Sequence, residues 1–129
     1  MSVLNRSSDN TDVKYIDSLS FDARKKKFNS LLLKFPDKIP VILEKSKVDK
    51  YLPKIDKSKL LVSHDMTIAN IIKLLKSNLK INENISLYIV VSGKNIMVSG
   101  SQSINSIYNE HRNDDGFLYL EYCTENVFG

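Results

Sequence analysis

The chain of 129 residues contains one cysteine, three prolines, four glycines and no tryptophan. A single cysteine excludes an intramolecular disulfide and a zinc site built from several cysteines. No apolar run approaches the ~18 residues of a membrane-spanning helix, and the first ten residues, MSVLNRSSDN, lack the apolar core of a signal peptide. These absences argue against disulfide-stapled secreted scaffolds and membrane-spanning proteins, and we expect a cytoplasmic protein.

The remaining composition is that of one ordinary globular domain, with 42% hydrophobic and 26% charged residues. The charge is uneven, because residues 1–60 carry 14 basic and 8 acidic side chains and residues 61–129 carry 5 and 7. The densest basic run is Lys25-Lys26-Lys27. A solvated basic face explains this run better than a dedicated nucleic-acid or membrane patch, so no nucleic-acid partner is expected.

The N-terminal half begins with polar residues and then shows helical periodicity. A weak helical stretch covers Val13–Leu19, and Ser20 is placed to cap a stronger helix that starts at Phe21. Pro36 ends this helix, since the residue before a proline is disfavoured in the helical conformation. We therefore divide the chain into a flexible, partly helical extension (residues 1–19), a domain with an N-terminal helix (20–123) and a flexible tail (124–129).

The order of the later elements predicts the fold class. Pro40 restricts the first strand locally to a sheet edge or to the strand's beginning, because proline has no N–H to donate. Such an order predicts an α+β fold with helices on one face of a mixed four-stranded sheet. This is the β-grasp arrangement of ubiquitin, preceded by one or two extra helices. The elements are strands at Lys38–Glu44 and Lys59–Val62, a helix opened by Asp65 and Thr67, strands at Ile85–Val91 and Ile96–Val98, a helix at Ser103–Glu110 and a strand at Phe117–Tyr122.

The candidates for catalysis are weak. Cys123 has His111 and Asp114 near it in sequence, but nucleophilic catalysis requires a thiol held against an oriented base, and a structural cysteine is favoured. His64 and His111 do not have the spacing of metal ligands, and the isolated glycines form no phosphate-binding loop. We expect a protein without catalytic activity, cofactor or metal.

The C-terminal segment, TENVFG, has no apolar alternation and ends in Gly129. Glycine allows the close backbone approach that a narrow activating or transfer site demands.

Four further segments carry a family resemblance: FPDKIPVILEK (35–45), LPKIDKSKLLV (52–62), IYNEH (107–111) and DGFLYLEY (115–122). Together with the ENVFG ending they resemble the autophagy-related protein 8 family, the ubiquitin-like modifiers whose animal members are called GABARAP and light chain 3. The resemblance runs from Phe21 to Gly129.

The resemblance implies a conjugation mechanism. Gly129, preceded by Phe128, matches the glycine that E1-like activating and E2-like transferring enzymes pass to phosphatidylethanolamine. The chain would then move from the cytoplasm to an autophagosomal or related membrane.

The resemblance also implies that the strand Lys59–Val62 receives peptides with an aromatic-x-x-aliphatic motif by β-augmentation. Lys27 stands where relatives usually carry an acidic residue, Ser63 replaces a typical proline, and Leu60 and Ile71 replace aromatic residues. The implied aromatic pocket comprises Lys27, Leu31, Pro40, Ile42, Lys59, Leu61 and Phe117, and the implied aliphatic pocket comprises Leu60, Val62, Ser63, Met66, Ile71 and Leu74.

Two alternatives remain from the sequence. One is a β-grasp interaction module that is never conjugated. The other is a basic domain that binds microtubules or nucleic acid through Lys25-Lys26-Lys27.

Overall fold

The computed structural model describes residues 13–124. Its helices are α1 (Tyr15–Ser18), α2 (Phe21–Lys34), α3 (Ile68–Leu79) and α4 (Ile104–His111), and its strands are β1 (Lys38–Lys45), β2 (Lys59–Ser63), β3 (Leu87–Val91), β4 (Ile96–Met97) and β5 (Leu118–Thr124).

The five strands of this region form one sheet in the order β2-β1-β5-β3-β4. The two central strands, β1 and β5, run parallel, and the other neighbours are antiparallel. This mixed sheet confirms the α+β class. The short strand predicted at Ile96–Val98 is the two-residue β4, which pairs with the end of β3 and makes the sheet five-stranded rather than four-stranded.

Local signals set the helix starts as the sequence predicts. The Ser20 side chain accepts a hydrogen bond from the Ala23 N–H at 3.2 Å. Thr67 and Asn70 form a reciprocal capping box at the start of α3. The weak helix α1 is shorter than the predicted Val13–Leu19, since it has no side-chain cap and no fully buried residue.

Pro40 lies at the beginning of a central strand. It is opposite Leu61 of β2, and the pairing of β1 with β5 begins one residue later, at Val41. The hydrogen bonds between β1 and β5 therefore begin after Pro40, which has no N–H to donate to them.

Helices cover both faces of the sheet: the two later helices pack on one face, as the element order predicts, and the extra N-terminal helix packs on the other. α3 and α4 cover the main core, which includes Val41 and Leu120. α2 packs on the opposite face, where its Phe28 forms a second apolar cluster with Ile42, Phe117 and Tyr119, and its Leu31 packs against that cluster. The reason is the alternation of β1 and β5, whose buried side chains point to both faces and require two covers.

The last strand extends two residues beyond the predicted Tyr122, and Thr124 therefore belongs to β5 rather than to the predicted tail. The rest of that tail and residues 1–12 of the predicted extension lie outside the described residues. None of the helices in residues 13–124 has the length and apolar character needed to cross a membrane.

Candidate functional site: the β2 edge and its two pockets

The candidate site is organised around β2, which forms one edge of the sheet. One side of β2 pairs with β1, and no strand of residues 13–124 pairs with its other side, whose backbone N–H and C=O groups could therefore bond to an added strand. Successive residues of a strand point to opposite faces, so Lys59 and Leu61 face the α2 side while Leu60 and Val62 face the α3 side. A peptide added to this edge would meet side chains of both faces.

The predicted aromatic pocket lies on the α2 side. Pro40 and Ile42 of β1 are register partners of Leu61 and Lys59, which places all four on one face. The structure thus brings together residues from α2, β1, β2 and the turn before β5. Ile42 and Phe117 are fully buried in the second cluster, Leu31 packs against it, and Leu61 is 36% exposed.

Two lysines form a cationic rim at this pocket. Partial burial lowers the pKa of Lys59 below its ordinary value, and the charge of Lys27 lowers it further. Lys27 is exposed on α2. Such a rim attracts acidic groups that flank a docked motif.

Tyr15 of α1 is a pocket neighbour that sequence reasoning missed. Its ring meets the Phe117 ring edge-on, with the centroids 5.5 Å apart, and the Lys59 Nζ lies 5.2 Å from its centroid. Its backbone N–H donates to Glu44 at 2.9 Å. In the sequence, Tyr15 is a single aromatic residue in a largely polar segment. That isolation was the available signal of a buried role, but no periodicity indicates that Tyr15 lies beside Phe117.

The floor of the aromatic pocket is fixed by the turn before β5. Asp115 is fully buried, and its Oδ1 accepts the Phe117 N–H at 2.9 Å. Its Oδ2 accepts from Arg24 Nη1 at 2.5 Å and from the Tyr119 hydroxyl at 2.6 Å. Burial, together with this hydrogen bond to Asp115, raises the pKa of Tyr119 far above its ordinary value. A buried ion pair therefore holds Phe117 in place.

The residues of the predicted aliphatic pocket divide into surface and core. Leu74 of α3 is 53% exposed, and Leu60 and Met66 are half-buried against the main core. Val62 and Ile71 are core residues, with Ile71 only 2% exposed. Ser63 accepts a hydrogen bond from Lys38 Nζ at 3.1 Å. The accessible part of this pocket is therefore formed by Leu60, Met66 and Leu74.

Cys123 has the environment of a structural cysteine. It is 1% exposed, and burial followed by the charges of Asp49 and Glu121 raises the pKa of its thiol to about 11. A nucleophilic cysteine needs the opposite shift. His111 lies 3.2 Å from Lys94 Nζ, and the sequence neighbours Cys123, His111 and Asp114 make no catalytic arrangement among the described contacts.

A cleft of about 390 Å³ lies elsewhere, between α1, the β3–β4 turn and the end of α4. It carries charges of both signs, among them Lys14, Glu44 and Lys94. None of the predicted pocket residues lines it. The predicted conjugation residues Phe128 and Gly129 lie outside the described residues.

Comparisons with known proteins find relatives that match most of the chain. The family described as "Autophagy protein Atg8 ubiquitin like" matches residues 23–129. Autophagy-related protein 8h of Arabidopsis thaliana is 39% identical over 114 residues, which are 88% of this chain and 92% of that protein. Autophagy-related protein 8 of Schizosaccharomyces pombe is 37% identical over 114 residues, covering 88% and 91%.

More distant relatives match over a similar share of this chain. Human microtubule-associated protein 1 light chain 3 gamma is 31% identical over 110 residues, covering 85% of this chain and 74% of that protein. A crystal structure of Trypanosoma brucei ATG8 superposes with a TM-score of 0.81 at 26% identity and covers 89% of this chain and 97% of that one. With its ubiquitin-like fold and a family match that spans most of its length, the chain belongs to the Atg8 family of ubiquitin-like autophagy proteins.

Proposed function

We propose that this chain is a lipid-conjugated modifier of autophagy that recruits proteins through aromatic-x-x-aliphatic motifs and has no catalytic activity of its own. The observation that carries the docking half is the outer side of β2, with which no strand of residues 13–124 pairs and whose alternate residues face opposite sides of the sheet. The conjugation half rests on the family match, which extends to Gly129.

The chemistry of conjugation belongs to the partner enzymes. An E1-like enzyme would use ATP: the Gly129 carboxylate attacks the α-phosphate and pyrophosphate leaves, giving an adenylate. An enzyme thiolate would then displace AMP to form a thioester. After transfer to an E2-like enzyme, the amine of phosphatidylethanolamine attacks the thioester carbonyl, the thiolate leaves, and an amide forms. Because Gly129 has no side chain, its carbonyl is open to each attacking group. The cytoplasmic chain would then be attached to an autophagosomal or related membrane.

Conjugation is tested by intact-mass analysis of the protein recovered from cell membranes. We expect a phosphatidylethanolamine adduct on the wild-type C-terminal peptide and none on Gly129→Ala or on a chain lacking Gly129. Val127→Ala is the matched control and should keep the adduct. Equal membrane recovery of wild type and both Gly129 variants, without an adduct, would favour the unconjugated interaction module.

Docking is supported by the arrangement of the two pockets about one edge. The peptide backbone would pair with the free side of β2, as in other cases of β-strand addition. Its aromatic side chain would enter between Leu61 and Phe117 beneath Lys59, and its aliphatic side chain would lie against Leu60 and Leu74. The aromatic side chain supplies most of the buried apolar area, so replacing it with alanine should abolish binding.

The charge of Lys27 sets the preference for flanking residues. We expect Lys27→Glu to weaken binding of an acidic-flanked motif peptide by about 3–10-fold at low salt, because a carboxylate replaces an attractive ammonium at the pocket rim. Raising the ionic strength should shrink this difference. Isothermal titration calorimetry at two salt concentrations measures both effects.

Lys26→Glu makes the same charge change on an adjacent, exposed position of α2 and controls for overall charge. An equal loss of affinity in the two variants would show that only the net charge matters. Unchanged affinity of Lys27→Glu at low salt would contradict a role for the rim.

A further inference from the structure

The connection between β1 and β2, residues 46–58, is fastened to β5. The Ser46 N–H donates to the Tyr122 carbonyl at 2.9 Å. The Tyr122 hydroxyl donates to the Pro53 carbonyl at 2.6 Å and accepts from the Ile55 N–H at 2.9 Å. These contacts are far apart in sequence, and they hold the connection against one end of the sheet.

A buried carboxylate shapes the turn within this connection. Asp49 is 2% exposed, and its Oδ1 accepts the N–H groups of Tyr51 and Leu52, both at 2.9 Å. Its Oδ2 accepts the N–H of Thr124 at 2.8 Å and the Thr124 hydroxyl at 3.1 Å. Burial alone would raise the pKa of Asp49, but the hydrogen bonds outweigh burial and hold the pKa below its ordinary value. The turn is therefore fixed next to Thr124.

The same turn leaves two large apolar side chains in solvent. Val48 is 66% exposed and Tyr51 is 73% exposed, and they lie on either side of Asp49 in the sequence. Lys47 and Lys50 are next to them and are exposed as well. We refer to these four exposed residues, Lys47, Val48, Lys50 and Tyr51, as the tip of the connection. Exposed apolar side chains bordered by charges indicate an interaction surface.

The connection around the tip is positively charged. Residues 46–58 contain four lysines, at positions 47, 50, 54 and 57, and two aspartates, at positions 49 and 56. Because Asp49 is buried, Asp56 is the only exposed acidic residue of the connection. An aliphatic and an aromatic side chain among lysines are typical of segments that lie at the surface of an anionic membrane. Tyrosine favours the headgroup level, where its ring is buried and its hydroxyl stays hydrated.

We propose that the tip contacts an anionic lipid surface. Val48 and Tyr51 enter the headgroup region, and Lys47 and Lys50 lie against the lipid phosphates. The apolar side chains lose exposed area in this contact, and the lysines gain attraction from the negative surface potential.

The position of the tip in the fold supports this occupant, and here the inference rests on the proposed function. Attachment of Gly129 to a lipid would hold Thr124 within about 17 Å of the membrane, since five residues separate it from the lipid. Asp49 holds the tip against Thr124. The end of the fold that carries the tip is therefore the end that attachment would bring to the membrane.

The main test uses a fluorophore at the tip. The chain has no tryptophan, so Tyr51→Trp introduces a single one at an exposed position. The full, unconjugated chain is mixed with an excess of vesicles made of phosphatidylserine and phosphatidylcholine in equal parts. We expect the tryptophan emission to shift to shorter wavelength and to be quenched when brominated phosphatidylcholine replaces the ordinary lipid.

Leu33→Trp is the matched control. Leu33 is 85% exposed in the last turn of α2, which leads into the start of β1, whereas the tip follows the end of β1. The two ends of this strand are about 23 Å apart. We expect the emission of Leu33→Trp to stay unchanged on the same vesicles.

Sedimentation with these vesicles separates the apolar contribution from the charged one. The double variant Val48→Ser, Tyr51→Ser should lower the partition coefficient of the chain at least about tenfold, because less apolar area enters the interface. The double variant Lys47→Gln, Lys50→Gln should lower it about 10–30-fold. Raising the ionic strength should shrink only the second difference.

The charge control is the double variant Lys26→Gln, Lys34→Gln, which removes the same two charges from exposed positions of α2. We expect it to lower the partition coefficient by less than about threefold. A loss equal to that of the tip lysines would show that only net charge matters, and would overturn the proposal. An unshifted Tyr51→Trp emission would also overturn it. If the emission stays unshifted while polyglutamate binding depends on Lys47 and Lys50, the tip belongs to an acidic protein partner instead.

The vesicle measurements use the unconjugated chain, so they distinguish this inference from the function on which it rests. A chain that accepts no lipid from the E1-like and E2-like enzymes, but whose tip enters vesicles, overturns the proposed function and leaves the membrane contact. Normal conjugation with an unshifted Tyr51→Trp emission overturns only the membrane contact of the tip.

Discussion

Replacing Asp115 with asparagine is expected to lower the free energy of unfolding by about 3–5 kcal/mol, the usual effect of breaking a buried ion pair from one side. Asp115 is fully buried and Arg24 is 8% exposed, so neither charge is well solvated by water. Asparagine can still accept the Phe117 N–H, but it leaves the Arg24 guanidinium without a counter-charge. It also places an amide where the Tyr119 hydroxyl donates.

Urea denaturation of three variants measures this effect. Asp114→Asn is the control, because Asp114 is its exposed neighbour and should shift stability by no more than about 0.5 kcal/mol. The double variant Arg24→Met, Asp115→Asn removes both charges and should recover part of the loss. A loss below about 1 kcal/mol for Asp115→Asn would show that the ion pair does not hold the turn.

The Gly116→Ala variant is expected to lose more than about 3 kcal/mol of stability, for two separate reasons. Gly116 has a φ of +103°, a conformation that side chains rarely adopt. A Cβ at this position would also lie 2.3 Å from Cδ2 of Phe28, and the ring is packed in the second cluster and has little room to move. Because Phe117 follows directly, the same change should weaken binding of a motif peptide.

Gly93→Ala measures how much stability is lost from the positive φ alone, without a steric collision. Gly93 has a φ of +78°, and a Cβ there meets nothing within 4 Å. We expect it to lose about 1 kcal/mol from strain alone, so its difference from Gly116→Ala reports the collision with Phe28. Equal losses in thermal or urea unfolding would contradict that collision. Truncating Phe28 to alanine in the Gly116→Ala background should then be less damaging than the sum of the two single changes.

These contacts explain physically why the DGFLYLEY segment is so informative. Its aspartate pairs with Arg24, its glycine admits the Phe28 ring, and its phenylalanine forms the pocket floor. Each position has a separate steric or electrostatic requirement, so few other residues satisfy all of them. The fold and the proposed site depend on the same three residues.

Secondary structure followed closely from local chemistry. The Ser20 and Thr67 caps start α2 and α3 where the sequence predicts, and Pro40 lies at the start of β1 because its missing N–H leaves it few other places. The order of the elements then predicts a mixed sheet that includes the strand at Lys59–Val62. These features depend on residues close together in the chain.

The parts of the site that the sequence left undecided depend on distant contacts. Periodicity marks Ile71 and Leu74 as one apolar stripe, but only packing buries Ile71 and leaves Leu74 exposed. Nor does any local pattern place Tyr15 beside Phe117. Asp49 resembles any polar loop residue until Thr124, 75 residues later, is seen to donate to it.

The sequence by itself determined the family, the elements and the identity of the candidate conjugation and docking residues, because capping, alternation and the longer motifs are local. Only the tertiary structure decided that helices cover both faces, that no strand of residues 13–124 pairs with the outer side of β2, and that Arg24 and Asp49 hold the turn and Thr124 of β5. Those outcomes arise from pairs such as Arg24 and Asp115, 91 residues apart. Their energies exist only once the chain has folded and water has been removed from between them.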